Sequence, residues 1–289
     1  MRMRSLFGLA AVFCLSFQAY AADAKIVFVA GPKDHGRPNR HEYIKDLEAL
    51  KYCLDNASNL GGLSTFMHTG QVLDIMDQVK DADVVVVESS GDRVERETHA
   101  IFPPNAKTDG KSYDAATMAK LEQFDQRMKD GAGLAVLHYA TWVDNEKGRE
   151  YFLDWVGSYH QGQGYSKVLV NPWSVEPAKT NHPVLAGITP WHYDEEFYVA
   201  QYLPYDIRRT PLLRASSPEG GEGNVVSWAV QREGGGRGFV MTGMDFHRNL
   251  WQDQHRRILL NGIVWAAGMD VPAGGVNCSM PGPPPDAPQ

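Results

Sequence analysis

The apolar residues of this chain fall into short runs that are separated by polar segments with helical spacing. Uninterrupted apolar runs occur in KIVFVA from Lys25, in DADVVVVES from Asp81 and in GLAVLHYA from Gly133. Runs of this kind are typical of strands that are buried on both faces of a parallel sheet. Helical spacing covers roughly residues 40–56 and 115–129, with a shorter piece near 72–79. The first half of the chain therefore alternates between predicted strands and predicted helices.

The second half contains further predicted strands, several of them joined by Gly-rich turns such as REGGGRG. They are KVLVNPWSVEP, FYVAQY, TPLLRAS, NVVSWAVQ and RGFVMTGM. One more strand, LSTFMHT, is predicted in the first half. A final helix is predicted over DQHRRILLNGIVWAAG. Together these elements predict one α/β domain, with a doubly wound, mostly parallel sheet flanked by helices, as in flavodoxin-like folds.

The composition and net charge of the chain disfavour some classes of binding partner. The 289 residues are 43% hydrophobic and 22% charged, which fits a single globular domain with one large core. The formal net charge of −7 disfavours nucleic acid and anionic membrane surfaces, because both bind clustered Lys and Arg. A small molecule is the partner that this composition leaves open.

The two ends of the chain differ in composition from the predicted domain over residues 22–275. Residues 1–21 carry two arginines, an apolar run and the small-x-small signal Ala19-Tyr20-Ala21, which predicts a signal peptide and a periplasmic or secreted protein. The tail over residues 276–289 is rich in Pro and Gly and is predicted to be disordered. Two cysteines, Cys53 and Cys278, lie in the mature chain, and the sequence leaves open whether they pair.

Polar and titratable residues follow four of the predicted strands. In open α/β sheets ligands bind at the carboxyl ends of the strands, so these residues are expected to share one rim. The opening stretch GPKDHGRPNRHEY supplies the first set. The residues expected at the rim are His35, His41, Glu88, Ser89, Ser90, His138, Tyr139, Asp245 and His247.

Several longer motifs resemble the ThuA-like (trehalose utilisation) proteins, which have the fold of class I glutamine amidotransferase domains. The resemblance extends from Ile26 to about Gly275 and rests on the opening stretch, GAGLAVLHYAT, NHPVLAGITPWHYDEEFY and the closing strand and helix. It places His138 at the strand-to-helix turn that holds the cysteine of an amidotransferase. Here the closing strand ends in Met244-Asp245-Phe246-His247, where that family commonly has Gly-His.

The histidine at position 138 argues against glutaminase chemistry, because the amidotransferase route needs a thiolate nucleophile. An imidazole instead offers proton transfer near neutral pH or metal coordination. The match to the family's Asp-Glu-x-Tyr segment indicates Glu195 as the carboxylate partner of His138, although Glu196 leaves the register open by one residue. The other residues expected to bind substrate are His35, His41, Tyr139, His160, Asp194, Tyr198, Asp245 and His247.

The resemblance implies carbohydrate utilisation, so we expect an exported enzyme that acts on a sugar or keto-sugar by acid/base chemistry. The reaction stays open among isomerisation, elimination, hydration and hydrolysis. A non-catalytic carbohydrate-binding module is one alternative, with a sugar oxidoreductase as its partner, and self-association is left open. No cofactor and no metal are predicted, because no tight motif such as H-x-H or H-E-x-x-H is present. A metal-dependent hydrolase would need three ligands at one point.

Overall fold

The computed structural model describes residues 23–93, 98–104, 113–162, 164–218 and 223–286. The predicted signal peptide lies outside these residues. The strands are β1 (Ala24–Ala30), β2 (Leu63–Thr69), β3 (Val84–Glu88), β4 (Gly133–Leu137), β5 (Lys167–Pro177), β6 (Trp191–Val199), β7 (Arg209–Ser216), β8 (Asn224–Gln231) and β9 (Arg237–Met241). The α-helices are α1 (Tyr43–Asp55), α2 (Met76–Val79), α3 (Ala115–Lys129), α4 (Glu146–Trp155) and α5 (Asp253–Ala266).

Within the described residues, the nine strands form one sheet in the order β2-β1-β3-β4-β9-β8-β7-β5-β6. The first five of these strands are parallel neighbours, and the three central apolar runs pair as predicted, with β3 between β1 and β4. The remaining pairs, from β9 to β6, are all antiparallel. The sheet is therefore mixed, and the expectation of a mostly parallel sheet was wrong for its second half.

Helices cover both faces of the parallel half. The even-numbered apolar residues of β1 pack with α1 and α5, and the odd-numbered ones pack with α3 and α4. This division follows from the alternation of side chains along a strand, and it explains why residues 26–30, 84–87 and 133–137 are apolar without interruption. The observed α3 has the predicted bounds, and Asp114 caps it by accepting a hydrogen bond from the Thr117 amide.

Helix α4 has no counterpart among the predicted elements. Gly148 in its first turn lowers helix propensity. The first half of the helix is the polar run EKGRE, so only Tyr151, Phe152 and Trp155 indicate an apolar face in the sequence. The glycine is needed for packing, because a Cβ there would come within 2.7 Å of the Val143 side chain. Asn145 caps the helix by accepting hydrogen bonds from two backbone amides.

Val276 and Cys278, at the start of the tail that was predicted to be disordered, pack against the domain, whereas most of the described residues after them are exposed. Val276 and Cys278 are buried, and the Val276 amide donates to the side chain of Asn261. Arg256 donates to the Cys278 carbonyl. The start of the tail thus lies against α5, because it satisfies buried polar groups of that helix even though it carries few apolar side chains.

The antiparallel half brings an edge strand to the carboxyl end of the parallel half. Irregular pairing near Pro211 and Leu213 interrupts the β7–β8 ladder, and such bulges bend a sheet. The end of β6 then meets the loop that follows β9, where the Tyr198 amide donates to the Thr242 carbonyl. Side chains of β6 therefore join the rim formed by β1, β3, β4 and β9.

Among the described residues, no helix is both long enough and apolar enough to cross a membrane.

Candidate functional site

The loop after β1, residues 31–42, is fixed against the loop after β9 by backbone hydrogen bonds. The His41 amide donates to the Asp245 carbonyl at 3.0 Å, and the His247 amide donates to the Asn39 carbonyl at 3.1 Å. His41 has a φ of +50°, in the left-handed region that a histidine seldom adopts. Such strain is often retained at functional positions, and here it directs the His41 ring towards the carboxyl ends of the strands.

His138 occupies the turn immediately after β4. Its φ is also +50°, and its side chain is completely buried. The ring Nδ1 lies 3.0 Å from the Thr242 carbonyl oxygen, which can only accept, so Nδ1 carries the proton and Nε2 has a free lone pair. Burial lowers the pKa of His138 to about 3, which makes the imidazole neutral at physiological pH.

Four side chains converge beside this ring: His41, His138, Glu196 and Asp245, which we call the four-donor cluster. One N or O atom from each lies within 4.8 Å of the others. Nε2 of His41 is 3.3 Å from Oδ1 of Asp245, and Nε2 of His138 is 3.8 Å from Oε1 of Glu196. Arg40 pairs with both carboxylates through their other oxygens, Oδ2 of Asp245 and Oε2 of Glu196.

Burial also shifts the pKa values of the remaining members of the cluster. It raises the pKa of Glu196 to about 7, with the neighbouring Asp245 carboxylate adding to the rise and Arg40 opposing it. It raises the pKa of Asp245 to about 6, again against Arg40. The pKa of His41 is lowered, first by burial and then by the nearby His138. The cluster can therefore change its protonation close to neutral pH, which suits acid/base work or cation binding.

The cluster borders a cavity of about 530 Å³ at the strand ends. His41 and Glu196 reach into this cavity, and three aromatic residues, Tyr139, Trp142 and Tyr198, form part of its wall. The ring centroids of Tyr139 and Tyr198 are 5.3 Å apart, in an edge-to-face arrangement. The cavity is large enough for a small sugar, and its aromatic faces can pack against the apolar face of a sugar ring.

His35 lies on the cavity wall next to His41, with 4.2 Å between the ring centroids. Its Nδ1 is 2.6 Å from Oδ1 of Asp34, and that carboxylate also accepts from the hydroxyls of Ser90 and Thr98. Because an ionised carboxylate only accepts, Nδ1 of His35 carries a proton, and in the neutral imidazole the lone pair therefore lies on Nε2. Hydrogen bonds from these neighbours lower the pKa of Asp34 to about 2 against the opposing effect of burial.

His160 supplies a further hydrogen-bond donor on the cavity wall. Its ring stacks on Trp142 with centroids 4.1 Å apart, and its Nδ1 accepts a hydrogen bond from the Gly162 amide. The proton of this neutral imidazole therefore lies on Nε2, which is buried and makes no hydrogen bond among the described residues. His160 can thus donate to an oxygen of a bound ligand.

Three of the expected site residues lie elsewhere. Glu195 points away from the cavity, and its carboxylate accepts from the amides of Glu196 and Asp245 and from the side chain of Asn249. Asp194 borders a separate cavity. His247 faces the opposite direction, with Nδ1 2.5 Å from Oδ1 of Asp46 on α1.

The structure thus replaces Glu195 with Glu196 as the carboxylate beside His138. Adjacent residues of a strand point to opposite faces, so one of the two acids had to face the cavity. The pairing of Glu196 with Val170 of β5 sets which one does so, and the sequence does not contain that register. Arg40 was also missed as a site residue, although it stands in the opening stretch and its charge could have indicated a partner for buried acids.

Glu88, at the end of β3, lies fully buried beneath the rim. Neither of its carboxylate oxygens has a hydrogen-bond partner within the described part of the chain. Burial, reinforced by nearby acids, raises its pKa well above the usual range. Ser89, the next residue, has a structural role because its hydroxyl accepts from the Ala100 amide.

Comparisons with known proteins agree with this architecture. The family model described as ThuA, trehalose utilisation, matches residues 40–266. The crystal structure of a ThuA-like protein from Bacteroides uniformis ATCC 8492 superposes with a TM-score of 0.58 at 15% identity, covering 91% of this chain and 97% of that one. A ThuA-like protein from Parabacteroides merdae ATCC 43184 gives 0.56 at 17% identity, covering 86% and 92%.

A cytoplasmic protein from Salmonella typhimurium LT2 has the same fold, with a TM-score of 0.52 at 9% identity and coverage of 84% and 99%. At these identities the structural neighbours show the fold alone. No curated protein matches the sequence.

Proposed function

This chain belongs to the ThuA (trehalose utilisation) family, and we propose that it is an exported enzyme that acts on a sugar or keto-sugar in the cavity at the strand ends. The observation that carries the proposal is the four-donor cluster at the border of that cavity. A module that only binds sugar needs aromatic and amide contacts, and has no use for two buried, neutral imidazoles that face two carboxyl groups 3.3–3.8 Å away.

The proposed chemistry is removal of a proton from a sugar hydroxyl or from a carbon next to a keto group. His35 is the base in this proposal, since Asp34 accepts from its Nδ1–H and its neutral imidazole then carries the lone pair on Nε2, on the cavity wall. The four-donor cluster lies next to this base, and its Glu196 carboxyl, whose pKa burial raises to about 7, can in its protonated form donate to the oxygen on which negative charge develops. His160, beside Trp142, donates to a second substrate oxygen.

Arg93 and Tyr139 support the same wall. The Arg93 guanidinium lies 4.2 Å from the centre of the Trp142 ring and donates to the Tyr139 hydroxyl at 3.2 Å. This arrangement fixes the aromatic surface before the substrate arrives, and a pre-ordered surface costs less ordering entropy on binding. The aromatic wall thus orients the sugar, and the histidines and carboxyl groups carry out the chemistry.

A screen of purified protein with 3-keto-glycosides and unmodified glycosides tests the proposal, with products followed by chromatography. His138→Asn tolerates the left-handed backbone and removes the imidazole, and Glu196→Gln removes the charge of its carboxylate. Each is expected to lower turnover by about 10²–10⁴-fold. His192→Asn is the matched control, because His192 lies exposed on the same strand as Glu196 and bonds only to Ser174 in the described structure.

Turnover of no glycoside, or equal turnover in parent and both site variants, contradicts the proposal. Export is tested separately by N-terminal sequencing of the mature protein, which is expected to begin at Ala22. Recovery of the chain with Met1 retained contradicts export.

A metal-dependent hydrolase is the second candidate function, and one observation favours it. A metal-dependent hydrolase needs three side chains that can bind one metal ion, and the structure brings the four side chains of the four-donor cluster together.

A further inference from the structure

The distances within the four-donor cluster fit metal coordination better than hydrogen bonding. The N···O separations of 3.3, 3.8 and 3.9 Å are long for hydrogen bonds, which normally measure about 2.7–3.2 Å. Ligand bonds of about 2.0–2.2 Å in a tetrahedral site place neighbouring ligand atoms roughly 3.3–3.6 Å apart. All four ligand atoms lie within 4.8 Å of one another, so binding one ion would require the widest pair to approach by about 1 Å.

Two of the converging atoms are buried and have no other partner. Nε2 of His138 and Oδ1 of Asp245 make no hydrogen bond among the described residues, and both side chains are completely buried. Leaving such atoms unsatisfied is costly, and each occurrence calls for an explanation. Both belong to the cluster, so one cation between them would satisfy both.

The surroundings hold each ligand in the form that a metal requires. The Thr242 carbonyl fixes the proton of His138 on Nδ1 and leaves Nε2 free, which is the usual arrangement behind a metal-bound histidine. The hydroxyl of Tyr43 lies 3.4 Å from Nδ1 of His41 on the side away from the cluster. Arg40 holds the outer oxygens of both carboxylates, so that their inner oxygens face the histidines.

We propose that His41, His138, Glu196 and Asp245 bind one divalent transition-metal ion of the Zn²⁺ or Mn²⁺ class. Two imidazole nitrogens disfavour Mg²⁺ and Ca²⁺, which prefer oxygen ligands. Two carboxylates and one arginine give the site a net charge of −1 when ionised, which attracts a cation. The ion would lie beside the cavity, because His41 and Glu196 line it.

This inference rests on the proposed function only for the metal's role, which would be to polarise an oxygen of the bound sugar next to His35. The binding site itself is argued from geometry, and it can therefore be tested without any sugar.

The test uses the full mature protein, stripped with a chelator, checked for folding by circular dichroism and titrated calorimetrically with ZnCl₂, MnCl₂ and MgCl₂. One equivalent of Zn²⁺ or Mn²⁺ is expected to bind, and Mg²⁺ is expected to bind far more weakly. X-ray absorption of the zinc-loaded protein is expected to show two imidazole ligands. This measurement needs no variant, so it decides the matter even if a variant fails to fold. Folded protein that binds none of these ions, or a zinc spectrum without imidazole, overturns the inference.

His138→Asn and Asp245→Asn are expected to weaken Zn²⁺ binding by roughly tenfold to a hundredfold or more. His192→Asn, whose imidazole lies outside the cluster, is expected to bind as the parent does. Unchanged zinc affinity in folded His138→Asn and Asp245→Asn would place the ion elsewhere and overturn the inference.

The two proposals fail in different ways. Stoichiometric zinc at these residues without glycoside turnover upholds the metal site and contradicts the proposed function. Glycoside turnover by a protein that contains no metal and needs none upholds the proposed function and contradicts the metal site.

Discussion

Replacing Glu195 by alanine is predicted to destabilise the fold strongly, whereas the same change at Glu196 is predicted to have little effect on stability. Glu195 is completely buried. Its Oε1 accepts from the amides of Glu196 at 2.7 Å and Asp245 at 3.0 Å, and its Oε2 accepts from Asn249 at 2.9 Å. These bonds connect β6 to the loop after β9, and they hold Asp245 in place.

The magnitude follows from the donors that the substitution leaves behind. Each buried donor without a partner costs about 1–3 kcal/mol. The Asn249 amide retains its second acceptor, the Asp194 carbonyl, so two backbone amides dominate the loss. The sum is about 2–6 kcal/mol, and about 2–4 °C per kcal/mol for a domain of this size gives a fall in melting temperature of roughly 5–20 °C.

Glu196→Ala is the matched control, because it removes the same side chain one residue along the strand. Arg40 retains its ion pair with Asp245, and removal of Glu196 also relieves its repulsion with the Asp245 carboxyl group and the cost of burying its charge, so the expected change is within about 1 kcal/mol. Thermal and urea unfolding followed by tryptophan fluorescence measure both variants. Equal stability of the two variants, or a larger loss in Glu196→Ala, would refute the structural role assigned to Glu195.

Three further predictions follow from other parts of the structure. His138→Cys is expected to create no glutaminase activity, because attack on glutamine needs a base partner for the thiol and a shaped oxyanion hole as well as the thiol itself; ammonia release from glutamine would contradict this. Cys53 and Cys278 are free but interact, so mild oxidation is expected to join them, and peptide mapping that finds two free thiols afterwards would contradict it. Burial raises the pKa of Asp92 to about 7, from about 3.9 in the unfolded chain, so folding favours its protonated form. Asp92 therefore lowers the free energy of unfolding as the pH rises from about 4 to about 7. Urea unfolding at pH 5 and pH 8 should show a smaller loss at pH 8 in Asp92→Asn than in the parent, and an equal loss would contradict the assignment.

The parallel half of the fold could be predicted because its pattern is local. Residues 26–30 of β1, 84–87 of β3 and 133–137 of β4 are all apolar, and such runs are typical of strands whose two faces are both covered by helices. Because the carboxyl ends of parallel strands lie at the same edge of a sheet, the loop after β1 and His138 were predicted to lie at one edge. The ring contact between His41 and His138 confirms that prediction.

The antiparallel half and the choice between Glu195 and Glu196 depend on non-local information. The Gly-rich turn between β8 and β9 indicates a hairpin, and hairpins join antiparallel strands, so the strand directions there could have been inferred. The side of β6 that faces the cavity could not, because the pairing with β5 fixes it and a shift of one residue reverses it.

The most direct test of the account is a crystal structure of the mature protein soaked with a 3-keto-glycoside that the enzyme turns over slowly. We predict that the sugar ring lies against Tyr139 and Tyr198. One sugar oxygen is expected at the four-donor cluster, and a proton-bearing atom is expected within hydrogen-bond reach of Nε2 of His35. A sugar bound in the separate cavity beside Asp194, or bound with no contact to His35 or the cluster, would contradict the account.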